Sequence, residues 1–284
     1  LMGLEAGLTA MILFEPFRGL LRRMQYLIVP YSQNEPIHLL TPIVTFFAFL
    51  LVLNRHKLEI FFATPLAKAV SILGAICFLQ IFNPLQGGLY VGLTGGMFIL
   101  VPMAWFYFGQ HAAPEFVPRI LRLVVILGIV SSLYGVYQIN FGYPSFELIW
   151  IENTDNYNSI AVYNVTRALA TFSNAEEWGR YTQIGALIAF GLAFSKQEGN
   201  KRFLWLFSAV VLCFMLALSG QRTSIFGLFL GLTILFITGA KTWGSAFARV
   251  FLLAGALVVF LTLSSQFADD DIYELDDSQG VSTM

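Results

Sequence analysis

Charged side chains are scarce in this sequence. They make up 12% of its 284 residues, while 57% of the residues are hydrophobic, and soluble globular domains typically carry about 25% charged residues. So few charges cannot cover a folded surface with polar groups in water, whereas a lipid bilayer requires no such cover. The formal net charge of −1 also provides no basic face, so nucleic acid is not an expected partner. The composition predicts an integral membrane protein.

Cysteines and recognisable cofactor motifs are also few. Cys77 and Cys213 each lie within an apolar run. A disulfide or redox pair is one interpretation, but two small buried hydrophobes are favoured. The three histidines are scattered along the chain, and the sequence contains neither a Walker A loop nor a GxGxxG motif after a strand. We therefore expect no metal and no cofactor.

The sequence begins without an initiator Met, and no signal-peptide pattern is visible in it. The chain begins at Leu1, inside an apolar stretch, and closes at Met284 just after an acidic segment. A basic region followed by an apolar core and a small-residue cleavage site would indicate a signal peptide, and this pattern is not visible. We expect a fragment of a longer membrane protein, with further spans at both ends.

Long apolar runs dominate the rest of the chain. A membrane-spanning helix needs ~17–25 mostly apolar residues, and the sequence contains eight such runs, with a partial run at the N-terminus as a candidate ninth. Lipid offers no partner to backbone amides, so spans of this length must be helices. The sequence thus predicts an all-α fold: a polytopic transmembrane helix bundle with an extracytoplasmic loop that contains short helices. The predicted spans are 37–53, 66–82, 89–108, 121–141, 178–195, 203–219, 223–240 and 247–265.

The distribution of basic residues predicts the orientation of these spans. Cytoplasmic loops carry an excess of Lys and Arg, and this holds if the loop 142–177 is placed outside. The inner loops then contain ten of the sixteen basic residues: Arg55, Lys57, Lys68, Arg119, Arg122, Lys196, Lys201, Arg202, Lys241 and Arg249. Arg18, Arg22 and Arg23 fall outside and break the rule. Either 19–31 is a basic amphipathic helix in the membrane interface, or an additional short crossing exists.

Five segments follow from this arrangement. The stretch 269–277 contains six acids and no base and also falls outside, in keeping with the rule. The predicted segments are a partial span and basic interfacial segment (1–36), spans (37–141), an extracytoplasmic loop (142–177), further spans (178–265) and the start of an acidic extracytoplasmic loop (266–284).

Three arginines remain on the predicted outer side after residue 37: Arg167, Arg180 and Arg222. A single guanidinium at a membrane surface has a simple explanation, because its long side chain can reach the lipid headgroups. Three on the side where basic residues are otherwise rare favour an anion site. Arginine suits this role because its planar fork binds phosphate oxygens through two hydrogen bonds. A polyprenyl-pyrophosphate carrier is a common phosphate-bearing substrate at this surface.

The residues around 173–177 predict the start of a helix. Ser173 with Glu176, or Asn174 with Glu177, has the spacing of a capping box, and acids suit the positive end of a helix. Glu176 and Glu177 are also candidates for a general base or for groups that orient an acceptor. Capping explains both acids about as well, so these alternatives stay open.

The outer loop is rich in aromatic residues. An interfacial aromatic belt explains most of them, but Trp150 and Tyr157 flank acids and are candidates for stacking on sugar rings. The neighbouring acids Glu147, Glu152 and Asp155 are expected to be solvated loop charges.

Three stretches of the sequence are similar to the O-antigen ligase and O-antigen polymerase superfamily of bacterial membrane proteins. Arg167-Ala-Leu-Ala-Thr-Phe-Ser-Asn174 resembles the Arg, Gly-Thr-Phe and Asn segment of that family. Leu216-Ala-Leu-Ser-Gly-Gln-Arg-Thr-Ser224 resembles its Thr/Ser-Gly-Ser-Arg motif, and Asn83-Pro-Leu-Gln-Gly-Gly88 fits its earlier loop. The chain departs from the family in having Ala170 where Gly is usual and Ala175-Glu-Glu in place of a Pro-Asn pair.

The resemblance covers most of 65–265 and implies glycosyl transfer without a nucleotide sugar. An acceptor glycan or lipid hydroxyl attacks the anomeric carbon of a polyprenyl-pyrophosphate-linked sugar, at the outer face of the bacterial cytoplasmic membrane. Arg222 and Arg167 would hold the pyrophosphate, and Arg180 would orient it or the loop. The lipid bilayer and other polysaccharide-assembly proteins are further expected partners. In several members a histidine important for function lies in a large loop after the last span seen here.

Two other functions compete with this interpretation. A small-anion or inorganic-carbon transporter of the same superfamily would also use an arginine site. Transporters, however, usually place the site near the membrane midplane between repeats, and the sequence shows no internal repeat. A scaffold subunit of an export complex would tolerate substitution of all three arginines.

Overall fold

A computed structural model describes residues 2–28, 37–153, 161–162 and 165–239, together with the single positions 244, 255, 258 and 262. The predicted span 247–265, apart from three of those single positions, and the acidic segment 266–284 lie outside the described residues. By contacts, the chain divides into two compact units. Unit 1 comprises Leu1–Glu15 and Asn34–Ile120, and unit 2 comprises Pro16–Gln33 and Leu121–Met284.

The described part of the chain is built almost entirely from helices. The α-helices are α1 (Met2–Phe14), α2 (Arg18–Met24), α3 (Ile37–His56), α4 (Pro65–Gln80), α5 (Leu89–His111), α6 (Phe116–Phe141), α7 (Ser145–Asn153), α8 (Ala175–Phe194), α9 (Arg202–Leu218) and α10 (Arg222–Thr238). Short 3₁₀ helices are Glu15–Phe17, Gln25–Leu27, Lys57–Phe61, Pro84–Gln86 and Lys196–Lys201. A minimal antiparallel ribbon pairs β1 (Ala161–Val162) with β2 (Val165–Thr166).

The helices coincide with seven of the eight predicted spans, α3 to α6 and α8 to α10. Four helical segments are long and apolar enough to cross a membrane: Leu39–Phe61, Leu89–His111, Phe116–Phe141 and Glu198–Leu218. Two further apolar helices, Pro65–Gln80 and Arg222–Thr238, are shorter. The predicted helical fold class is confirmed at this level, and the apolar helices indicate a membrane protein.

Unit 1 is organised around the contact between α4 and α5. Thr64 caps α4, because its Oγ1 accepts a hydrogen bond from the backbone N of Ala67 at 3.0 Å. The chain turns between the two helices through Gly87, whose φ of 89° is left-handed. α5 then approaches α4 so closely that a Cβ at Gly92 would lie 2.1 Å from the carbonyl oxygen of Ile81. Glycine at position 92 is therefore a packing requirement.

Unit 2 has a core of small residues between α8 and α9. Ala186, Ala189 and Ala209 are fully buried, and they let these helices approach closely around larger side chains such as Leu212 and Leu216. Large apolar side chains on the outer side of the same helices are exposed, including Phe203 at 78%. Exposed apolar surface of this kind is typical of a face that contacts lipid.

We predict that Gly92→Ala destabilises the protein and that Gly95→Ala does not. Both substitutions improve helix propensity by up to about 1 kcal/mol, and a Cβ at Gly95 would meet nothing within 4 Å. A Cβ at Gly92 collides with backbone, and overpacking of this kind costs about 1–3 kcal/mol. Thermal unfolding of the purified protein in detergent measures the difference. Equal unfolding temperatures for the two variants would contradict the described contact between α4 and α5.

Candidate functional site

The segment 167–174, one of the three stretches for which a family resemblance was noted, forms part of the interior of unit 2. The five residues that follow Arg167 have at most 6% of their surface exposed. Ala168, Ala170 and Phe172 pack with Trp178 of α8 into one apolar cluster. Because these residues are removed from water, the polar groups of their backbone need partners within the protein.

Ala170 occupies an unusual backbone conformation within this segment. Its φ is 51°, in the left-handed region, where the Cβ of an L-residue approaches the following carbonyl oxygen at a cost of roughly 1–2 kcal/mol. The similar family segment usually has Gly at this position, and Gly adopts this conformation without that cost. Such strain persists only when the surroundings hold the backbone in place.

Gln138 of α6 provides part of that hold. Its Oε1 accepts hydrogen bonds from the backbone N of Ala170 at 2.7 Å and of Leu169 at 3.0 Å. Its Nε2 donates to Oε2 of Glu147 at 2.8 Å and to the carbonyl oxygen of Ala170 at 3.4 Å. The side chain is 4% exposed, so one buried amide satisfies both the N–H and the C=O of the strained residue.

A buried ion pair also helps to fix the backbone around Ala170. Nε of Arg23 lies 2.7 Å from Oε1 of Glu147, and both side chains are completely inaccessible to solvent. Arg23 also donates to the carbonyl oxygens of Ala170, at 2.5 Å, and Phe172. Burial raises the pKa of Glu147 against the opposing effect of the Arg23 charge, and burial lowers the pKa of Arg23. Each charge depends on the other, because removal of one partner of such a pair typically costs about 3–5 kcal/mol.

These contacts correct one sequence prediction. Glu147 is not a solvated loop charge, since it is 0% exposed and pairs with Arg23. The described part of 19–31 contains the seven-residue helix α2 and the 3₁₀ helix Gln25–Leu27, and the choice between an interfacial helix and a short crossing stays a prediction. Arg22 and Arg23 are 9% and 0% exposed and contact protein, because Nη1 of Arg22 donates to Oγ of Ser173 at 2.9 Å.

The structure also contradicts the predicted role of Trp150. This ring is 1% exposed and packs with Ile151 and Leu169, while the guanidinium of Arg22 lies 5.9 Å from its centroid. A ring without a free face cannot stack on a sugar. Tyr157, the other candidate for sugar stacking, lies outside the described residues.

The predicted helix start is present, and the capping residues are Asn174 and Glu177 rather than Ser173 and Glu176. Oδ1 of Asn174 accepts from the backbone N of Glu177 at 2.8 Å, and Oε2 of Glu177 accepts from the backbone N of Ser173 at 3.1 Å. Glu176 instead forms an ion pair with Arg180, one turn further along α8. Both acids thus have local structural partners. Their roles as base or acceptor-binding groups stay predictions.

The structure brings Arg167 and Arg222 together. The turn between α9 and α10 lies against Arg167, since a Cβ at Gly220 would be 3.8 Å from its Nε. The first turn of α8 contacts the same turn, because a Cβ at Gly179 would lie 2.7 Å from Cβ of Gln221. Burial, and then the positive charge of Arg222, lower the pKa of Arg167. The Gly220 turn thus places Arg222, two positions further along the chain, in the neighbourhood of Arg167.

Of the three arginines predicted to form the anion site, one pairs with a carboxylate and two do not. Arg180 is 68% exposed and pairs with Glu176. Arg167 is half-buried and Arg222 is exposed, and within the described part of the chain no carboxylate oxygen lies within 4 Å of either guanidinium. Two neighbouring cations without a carboxylate between them favour the binding of an anion, which would relieve their repulsion.

The histidines and cysteines do not form a second reactive site in the described ranges. His56 and His111, predicted to be scattered, stack in unit 1 with centroids 3.8 Å apart. Across those ranges no group of three or more His, Cys, Asp or Glu is arranged to hold a metal ion. Cys77 and Cys213 are free thiols, each half-buried within its own unit.

Compared with known proteins, the chain matches no family model, no curated protein and no solved structure. Two of the three stretches that resemble the family, 167–174 and 216–224, contain Arg167 and Arg222.

We predict that Ala170→Gly is about 1 kcal/mol more stable than Ala168→Gly, because only the former removes left-handed strain. Both alanines are buried, and in both variants a methyl group is lost and the unfolded chain gains freedom. Ala168→Gly therefore serves as the matched control. Chemical denaturation in detergent, followed by the fluorescence of the buried tryptophans, measures both free energies. A larger loss for Ala170→Gly would show that its φ carries no strain.

Proposed function

We propose that this protein transfers a glycan from a polyprenyl-pyrophosphate carrier to an acceptor glycan or lipid, as a member of the O-antigen ligase and O-antigen polymerase superfamily. In this proposal it crosses the bacterial cytoplasmic membrane through the eight predicted spans, with the site on the outer face. One observation carries the proposal: Arg167 lies against the Gly220 turn, two positions before Arg222, and no described carboxylate lies within 4 Å of either arginine. The two arginines come from separate motifs.

The chemistry of the transfer needs such a pair. The acceptor oxygen forms a bond to the anomeric carbon while the bond from that carbon to the pyrophosphate oxygen breaks. The acceptor proton passes to a base, and negative charge builds on the leaving pyrophosphate. Preorganised cations stabilise this charge in the transition state, and two planar guanidinium groups can bind several phosphate oxygens at once. The chain's own residues thereby supply charge stabilisation.

The different exposure of the two arginines supports different roles for them. Arg222 is exposed at the start of α10 and is accessible to an incoming headgroup. Arg167 is half-buried, and a charge in a less polar environment interacts more strongly with an anion. Arg180 and Glu176, paired on the exposed face of α8, would orient the acceptor or the loop. Glu177, which caps α8, is the second candidate for this role.

The conformation of Ala170 supports the proposed family. A position where the family motif usually has Gly has a φ of 51°, the conformation for which Gly is favoured. Ala170 therefore replaces the usual Gly at a position where the backbone keeps a conformation that favours Gly. The exposed apolar faces of the helices support the proposed placement in a bilayer.

We predict that Arg222→Ala and Arg167→Ala, introduced into the chromosomal gene, each reduce polymer or ligated glycan by about 100-fold or more, since loss of one oxyanion donor typically costs ~10²–10³ in rate. Arg119→Ala is the matched control, because Arg119 is an exposed arginine on the predicted cytoplasmic side. Glycan length profiles measure the product, and immunoblots of membranes confirm equal insertion.

Uptake of labelled inorganic carbon and phosphate in the same strains tests the alternative function, a small-anion or inorganic-carbon transporter. Normal glycan in the Arg222→Ala strain contradicts the proposal, and lost uptake with normal glycan favours transport.

We also predict that inorganic pyrophosphate stabilises the purified protein. A ligand that binds only the folded state adds about 2.7 kcal/mol at a concentration 100 times its Kd, which thermal unfolding detects. Arg167→Ala and Arg222→Ala should abolish the increase, whereas Arg119→Ala should retain it. An equal increase in the unfolding temperature of the unsubstituted protein and of all three variants would show that pyrophosphate binds at another site.

A further inference from the structure

The N-terminal part of unit 2 is bound to the backbone of the motif that carries Arg167. The backbone N of Leu20 donates to the carbonyl oxygen of Thr171 at 2.8 Å, and Oγ1 of Thr171 donates to the carbonyl oxygen of Pro16 at 2.6 Å. A Cβ at Gly19 would lie 2.2 Å from the carbonyl carbon of Phe172. α2 therefore approaches this backbone as closely as a residue without a side chain permits.

We propose that Arg23 and Gln138 are positioning residues for the anion site: they fix the backbone of 169–172 and thereby hold Arg167 beside Arg222. This inference rests on the proposed function, since it assigns a purpose to the same site. Neither residue is proposed to touch the substrate. Their effect passes through the backbone of the motif.

The connection to Arg167 is short. Gln138 holds both backbone groups of Ala170, three positions after Arg167 along the chain. The hydroxyl of Tyr143 donates to the carbonyl oxygen of Arg167 itself. These bonds hold the backbone from Arg167 to Ala170, and the Nε of Arg167 lies 3.8 Å from the position of a Cβ at Gly220.

The choice of arginine at position 23 matches this task. Its planar fork reaches the carboxylate of Glu147 and the carbonyl oxygens of Ala170 and Phe172 at the same time. A lysine carries the same charge on a single nitrogen and cannot reproduce that geometry. A buried pair of this type is seldom needed for stability alone, because well-packed apolar residues of similar size often serve as well. Backbone strain of the kind found at Ala170 also concentrates at functional sites.

Unit 2 offers a matched control at another buried carboxylate. Nε of Arg122 donates to Oε1 of Glu198 at 3.0 Å, its Nη2 donates to the same oxygen at 2.5 Å, and Nε1 of Trp205 donates to Oε2 at 2.9 Å. Arg122→Lys thus removes a planar fork from a buried carboxylate, as Arg23→Lys does, at a network that does not contact 167–174. Arg122 itself is 38% exposed, so Gln138→Asn, which removes no charge, is compared with it as well. Gln138→Asn is the second test variant, because it withdraws the amide by one methylene and leaves the ion pair in place.

The experiment measures two properties of each purified variant: hydrogen exchange of peptides spanning 165–175, and the Kd for inorganic pyrophosphate by calorimetry. We expect Arg23→Lys and Gln138→Asn to speed exchange in 165–175 and to weaken pyrophosphate binding by roughly 10- to 100-fold, because small misplacements of a binding group have effects of this size. Arg122→Lys should change neither property. If Arg23→Lys fails to fold, the comparison of Gln138→Asn with Arg122→Lys decides alone.

The outcomes separate the inference from the function on which it rests. Unchanged exchange, or faster exchange with an unchanged Kd, overturns the positioning role even when Arg167→Ala and Arg222→Ala abolish binding. An equal loss of pyrophosphate affinity in Arg122→Lys would show that the weaker binding reflects general destabilisation, and this result also overturns the positioning role. Failure of the function itself is recognised separately, by normal glycan in the Arg222→Ala strain, whose Arg23 and Gln138 are intact.

Discussion

The guanidinium of Arg23 is removed from water, and much of the candidate site follows from how its charge is satisfied. Burial of an isolated cation costs many kcal/mol, so the carboxylate of Glu147 must lie beside it. Glu147 in turn accepts from Gln138, and the remaining donors of Arg23 reach the carbonyls of the motif. Withdrawal of any one of these groups would leave another buried and unsatisfied. The backbone of 169–172 is therefore held by the requirement to satisfy buried polar groups, in addition to apolar packing.

The helices of this chain could be predicted because their signal is local. An apolar run of sufficient length specifies a helix in lipid regardless of its neighbours, and seven predicted spans correspond to described helices. The capping residues before α8 were also visible, since Asn174 and Glu177 stand at a fixed spacing. Sequence alone could not choose between the two possible caps, because Ser173 with Glu176 and Asn174 with Glu177 both have the spacing of a capping box.

The buried network could not be predicted because it joins distant parts of the chain. Arg23 and Ala170 are separated by 147 positions, and nothing near either residue specifies the other. A signal nevertheless existed: Arg22 and Arg23 broke the charge rule for the predicted topology. Burial against a carboxylate is one explanation for such a violation, and Glu147, which was expected to be a solvated loop charge, lies in the loop on the same predicted side. The same absence of burial information led to the wrong prediction for Trp150, which is a core residue.

The partners of the arginines separate those that hold the fold from those available to a ligand. Arg23 and Arg122 each meet a carboxylate, so their charges are neutralised within the protein. Arg180 also has an acid beside it, on an exposed face where such a pair contributes little to stability. For Arg167 the neighbouring charge is instead another arginine, and within the described residues the folded chain places no carboxylate there to offset it. The guanidinium donors of these two arginines therefore have no described carboxylate to bind, and planar guanidinium groups bind phosphate oxygens through paired hydrogen bonds. This difference from Arg23, Arg122 and Arg180 is the reason that we propose an anion as the ligand at this site.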